Sequence, residues 1–148
     1  MIEGQESFLL EFPPAAHYVS TARIFAAGVA RTFGADEDLV EDLKVAVSEA
    51  CTSAVRARQD GGVEDRVLLS ARRDADVLLF EAEDTGIVPS GDSPEPVLQA
   101  TGSTSEDIAR RLSLETIRAL FPSTEIVSNG QGGGNIRFSI VLPEPPAS

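Results

Sequence analysis

Glu49 and Ser53 stand four residues apart, and Arg56 falls near the same azimuth, so a helix sets all three on one face. A carboxylate in that place can orient a water or accept a proton from an attacking hydroxyl. The plain alternative is a half-exposed helix face on which Glu49 pairs with Arg56. A second acid, Asp84, lies in Glu83-Asp84-Thr85-Gly86, where an apolar strand gives way to a long loop. Strand ends beside loops are common ligand sites, and a carboxylate there accepts hydrogen bonds from an amine or amide. Alternatively, Asp84-Thr85-Gly86 is only the turn by which the chain leaves the strand. Gly130, Gly132, Gly133 and Gly134 lead into a strand and not a helix, so they read as a hairpin turn with no helix start to hold an anion. Cys51 falls among apolar positions and reads as a small packed hydrophobe. His17 has no second ligand nearby in sequence and reads as structural or exposed.

These residues need elements to hold them. Ser7 to Phe12 is a short apolar-rich stretch closed by Pro13-Pro14, which suits a first or edge strand. Ala16 to Phe33 repeats apolar residues every three or four positions, predicting a helix that stops at Gly34. The clearest helix runs from an Asp36 cap to about Arg58. Acids crowd its early turns, and Leu39, Leu43, Ala46, Val47, Ala50, Cys51 and Ala54 form an inward stripe. Two strands follow, Arg66 to Ala71 and Val77 to Glu83, joined through Arg72 to Asp76. Ile87 to Ser103, rich in Pro and Gly, reads as a long loop. A helix over Ser105 to Leu120 ends before Pro122. Two strands, Thr124 to Ser128 and Ile136 to Leu142, flank a turn at Asn129 to Gly134. Helices are too few for repeated βαβ units. The pattern predicts an α+β fold, a two-layer α/β sandwich with a mostly antiparallel mixed sheet and three helices on one face.

The 148 residues amount to one domain, with a core over about 7–142 and a Pro-rich tail at 143–148 expected to be disordered. Twenty-four acids against twelve Lys plus Arg leave a formal charge of −12. That excess disfavours binding to nucleic acid or to an anionic membrane. One cysteine and one histidine exclude a structural zinc site and an internal disulfide. No apolar run approaches the roughly 20 residues of a membrane span. Glu3 and Glu6 stand where a secretory signal carries basic residues, so a cytoplasmic location is expected. No dinucleotide fingerprint and no nucleophile elbow is present.

The segment Leu43-Lys44-Val45-Ala46-Val47-Ser48-Glu49-Ala50-Cys51-Thr52-Ser53-Ala54-Val55 closely resembles the N-box helix of bacterial anti-sigma factor serine kinases. That family shares its ATPase domain with histidine kinases and Hsp90. The order of elements matches over about residues 7–142. So do Thr116 to Leu120 and the closing run Gly132 to Phe138. Carried over by position, the resemblance implies that Glu49 is the acid activating an attacking hydroxyl. It implies that Asp84, with Gly86 beside it, recognises the adenine amino group of ATP. Thr104 to Leu114 falls where the family packs its lid and the start of its phosphate-binding helix.

The chain departs from the family at three places. Ser53 stands where the family has the asparagine that holds Mg²⁺, which makes it a shorter and weaker metal ligand. Val88 replaces the second glycine after Asp84. Arg111-Leu112-Ser113 replaces the Gly-x-Gly that lets backbone amides approach phosphate, although Arg111 offers a guanidinium in partial compensation. The resemblance therefore implies an anti-sigma regulatory factor with degenerate ATP and Mg²⁺ motifs. It would sequester a sigma factor of RNA polymerase and yield it to a STAS-domain anti-anti-sigma protein, as a homodimer. The alternatives are an active ATP-dependent protein-serine kinase phosphorylating that antagonist, and a non-catalytic binding module for another protein.

Overall fold

Asp36 opens the longest helix. In the computed structural model its backbone is extended, at φ −76° and ψ 167°, and its carboxylate accepts a hydrogen bond from the Leu39 amide at 2.8 Å. The cap satisfies one of the donors that every helix start leaves open. The structure describes residues 6–84, 87–88, 97–98, 105–128 and 134–143. Helix α1 spans Val19–Thr32, behind a single tight turn at Ala16–Tyr18, so the predicted helix start is 3₁₀ and not α. Helix α2 spans Glu37–Asp60.

Both helices stop in the same way. Gly34 (φ +88°) and Gly62 (φ +66°) take left-handed backbone that side chains resist. The amides beyond them reach back, Ala35 to the Ala30 carbonyl at 3.1 Å and Val63 to the Arg58 carbonyl at 2.8 Å. This is the paired closure that glycine permits at a helix end.

The strands are β1 (Glu6–Phe12), β2 (Val67–Asp74), β3 (Val77–Asp84), β4 (Ile87–Val88), β5 (Val97–Leu98), β6 (Glu125–Ser128) and β7 (Gly134–Val141), with α3 (Ser105–Leu120) before β6. Five of them form one sheet in the order β1-β2-β3-β7-β6, and every described pairing is antiparallel. The expected mixed character is therefore absent from this sheet. β2 and β3 run closer together than predicted. The ladder continues to Asp74↔Val77, leaving a two-residue turn at Ala75-Asp76 in place of the five-residue link. Such turns require positive φ, which Ala75 supplies at 56° without the glycine or asparagine that would have announced it. Inside the expected loop, β4 and β5 pair with each other; the rest of 87–103, and the tail beyond 143, lie outside the described residues.

Helix α1 packs on α2, and α2 packs on α3 and on β3. The buried face of the sheet carries Leu69, Leu78, Phe80, Ile136, Phe138 and Ile140. Phe138 stacks between Phe80 and Phe121, with centroids 5.9 and 5.4 Å away. Small residues from the helices meet this face, namely Ala22, Ala26, Ala46, Ala50 and Ala54, so the two layers approach closely. Leu39 is only partly buried, whereas Val40 and Val55 join the core. On α3, Ile108 and Leu112 point outward, and Leu114 and Ile117 face the core.

On the opposite face of the sheet, Leu9, Ser70, Glu81, Arg137 and Glu125 align across all five strands. Arg137 Nε donates to Glu81 at 2.8 Å, and Asn135 donates to the other Glu81 oxygen at 2.5 Å. The Glu81 carboxylate makes the Arg137 guanidinium hold its proton more firmly than usual.

Candidate functional site

The inward stripe of α2 continues to its last turns and meets the end of β3. Asp84, the final residue of that strand, is fully buried and lies opposite Gly134 of β7. Ser53 on α2 is 2% exposed, and its hydroxyl donates to Asp84 Oδ2 at 2.6 Å. A hydroxyl bound to a carboxylate at that length is a strong, charge-assisted contact. Sequence spacing placed these two residues in different elements; the fold joins them.

Glu49 lies one turn before Ser53 on α2 and is half-buried. No ion pair joins it to Arg56 among the described residues, so the plain salt-bridge alternative is not what the structure shows. Its neighbour Ser48 accepts a hydrogen bond from Arg23 of α1 at 3.2 Å, tying the two helices together beside it.

Arg58 is the residue that sequence reasoning missed. Its side chain is fully buried. Nε donates to the Asp65 carbonyl at 3.1 Å, Nη1 to the carbonyls of Ala54 and Glu83 at 3.2 Å each, and Nη2 to the Glu83 carboxylate at 3.1 Å. The guanidinium thereby straps the end of α2, the chain leaving it and the end of β3 into one block. Its forked donors suit this multiple attachment. A signal was present: the stripe Val47, Cys51 and Ala54 extends by helical period to position 58.

The other expected site residues fall differently. Gly86 lies outside the described residues. Arg111 is exposed and Ser113 buried, and both lie inside α3, which begins at Ser105. Beyond the first turn of a helix, backbone amides are engaged by carbonyls four residues back. Positions 111 and 113 are therefore not a glycine-like loop ahead of the helix, and their amides are not presented to a phosphate.

Mg²⁺, which the N-box pattern implies, does not fit this donor set. The Ser53 oxygen is enclosed and turned to Asp84, while Mg²⁺ keeps several waters and needs ligands it can reach through them. Among the described residues no group of three or more His, Cys, Asp or Glu is placed to hold a metal ion. Asp84 is a buried carboxylate held in orientation by the Ser53 hydroxyl. Burial pushes the Cys51 thiol up to about 12, so it is no nucleophile at neutral pH. Among the described residues no helix is long and apolar enough to cross a membrane.

Comparison with known proteins gives these surroundings a context. The family model described as "Histidine kinase-like ATPase domain" matches residues 12–140. The serine-protein kinases RsbW of Bacillus thuringiensis (strain Al Hakam) and Bacillus cereus (strain B4264) are each 43% identical over 56 residues, 38% of this chain. The matched stretch spans 35% of each relative's length. The crystal structure of the RsbU and RsbW domains of Rv1364c from Mycobacterium tuberculosis superposes with a TM-score of 0.66. At 17% identity, covering 95% of this chain and 33% of that one, it shows a shared fold.

Proposed function

Because the chain belongs to the histidine kinase-like ATPase domain family, we propose that it is an anti-sigma regulatory factor working by partner switching. It occludes a sigma factor of RNA polymerase, and a STAS-domain anti-anti-sigma protein displaces it. The observation that carries this reading is the 43% identity to the RsbW serine-protein kinases. The acids at the start of α2 support it. Asp38, Glu41 and Asp42 are exposed there, and such a patch steers a basic partner surface into register. The active unit is taken to be a homodimer.

The test mixes the purified chain with each sigma factor of its source organism. Complex formation is read by size-exclusion chromatography, and occlusion by run-off transcription. The expected result is one stoichiometric complex that blocks transcription and dissociates when the STAS protein is added. No complex with any sigma factor overturns the proposal.

A second reading is favoured by Glu49, which keeps the position of the family's acid and has no ion-pair partner among the described residues. In that reading the chain is an ATP-dependent protein-serine kinase. Glu49 takes the proton of a partner's serine hydroxyl as that oxygen attacks the terminal phosphorus of ATP, the bond to the bridging oxygen breaks and ADP leaves. Transfer of labelled phosphate to a STAS-domain serine, lost in Glu49→Gln, would establish it.

A further inference from the structure

Two consecutive residues at the end of β3 are both tied to α2. The described ladder between β2 and β3 ends at Leu69↔Ala82, while β1 follows β2 as far as Phe12↔Val67. Beyond Ala82, β3 keeps its β7 neighbour through Glu83↔Asn135 and Asp84↔Gly134. Where β2 has turned away, side chains of α2 take over. Arg58 donates to the Glu83 carbonyl at 3.2 Å and to its carboxylate at 3.1 Å, and Ser53 donates to Asp84 at 2.6 Å. Asp84 is fully buried and engages a further partner besides Ser53. A ligand that took this carboxylate would have to break a short charge-assisted bond and leave a buried hydroxyl unsatisfied. The metal and phosphate positions of the N-box pattern are lost to the same packing. The Ser53 oxygen is turned to Asp84, and positions 111 and 113 lie inside α3. A formal charge of −12 adds net repulsion toward a polyphosphate.

We propose that Ser53 and Arg58 form a built-in latch on the end of β3, and that the latched chain holds its partner-binding form without a nucleotide. What the latched form does rests on the partner-switching reading; the proposal runs against the kinase reading of Glu49. The junction of helix and strand that the N-box pattern gives to a bound nucleotide is held here by the chain's own side chains. Release of the partner then depends on displacement by the antagonist and not on nucleotide turnover.

The first arm of the test uses the wild-type full chain, treated with apyrase to remove bound nucleotide. It is melted and titrated calorimetrically with ATP and with ADP, in excess Mg²⁺ and in EDTA. A melting shift below about 2 °C at millimolar nucleotide, with no saturable heat, is expected in every condition. A larger shift or saturable heat in any of them overturns the proposal. Amide exchange at Ala82 to Asp84 in the nucleotide-free protein is expected to be as slow, within about tenfold, as at Leu78 and Leu79. Faster exchange that nucleotide slows overturns it. The second arm is a mutant cycle. Ser53→Ala is expected to raise the unfolding constant about tenfold in the wild type and by less than about twofold in Asp84→Ala. Equal effects in the two backgrounds overturn the latch. Should a variant fail to fold, the wild-type arm still decides. The third arm adds the sigma factors. A complex of equal affinity within about twofold with and without nucleotide supports the proposal. One that forms only with ATP overturns the proposal and leaves partner switching standing. No complex in any condition overturns the partner-switching reading and the regulatory half of the proposal with it.

Discussion

Two carboxylates three residues apart on β3 meet opposite fates. Glu81 faces out from the sheet, is partly exposed, and is neutralised by Arg137 and Asn135 across the ladder. Asp84 faces in, is fully buried, and is met by the Ser53 hydroxyl from another layer. The outer acid sits in a network of opposite charges that water already screens, so its contribution to stability is small. The inner acid is costly to bury and needs a dedicated donor, and the Arg58 strap alongside keeps that strand end in place. The inner acid ties the helix layer to the end of β3; the acid of the outer face is part of the sheet's surface.

The sharpest way to break this contrast is Arg58→Met. It removes a buried guanidinium that serves three carbonyls and a carboxylate, and it should lower stability by about 3 kcal/mol in urea unfolding. A loss below about 1 kcal/mol would make the strap an ornament of the same weight as the outer ladder. Next comes Ser53→Ala, which leaves Asp84 short of a charge-assisted bond and should cost about 2 kcal/mol.

A pH measurement probes the same buried layer through Cys51. Its folded value is raised by burial from 9.0 to about 12, so between those limits the unfolded chain loses a proton that the folded chain keeps. Stability from this group is fully present below pH 9 and falls as pH rises toward 12. Relative to Cys51→Ala, the wild type should lose about 1 kcal/mol by pH 10, read as a shift in urea midpoint. Smallest of all, Arg137→Ala should cost less than about 1 kcal/mol, and less again in high salt. A larger loss would mean that the outer ladder is shielded from water and that the contrast with Asp84 is weaker than drawn.

Much of this was legible in the chain. The Asp36 cap, the glycine stops and the alternation of β7 are local features, decided by nearest neighbours and by period. They yielded α2 and α3 close to their observed bounds. The tight β2–β3 turn was not legible, because Ala75 adopts a positive φ that its residue type disfavours and that only the surrounding ladder enforces. Arg58 marked only the approximate end of the predicted helix, although the apolar stripe leads directly to it. Charge suggests exposure, and only the acceptors waiting at Glu83, Asp65 and Ala54 make its burial tolerable.

By itself the sequence determined the two layers, the three helices, the five strands of the main sheet and the family resemblance, since hydrophobic period, caps and the Glu49 to Val55 motif are written along one dimension. It could name Ser53 and Asp84 separately, one as a substituted metal position and one as a ligand acceptor. That the first holds the second was decided by the tertiary structure alone. A hydrogen bond between residues 31 positions apart depends on how α2 lies across the end of β3, and the packing of two layers sets that distance.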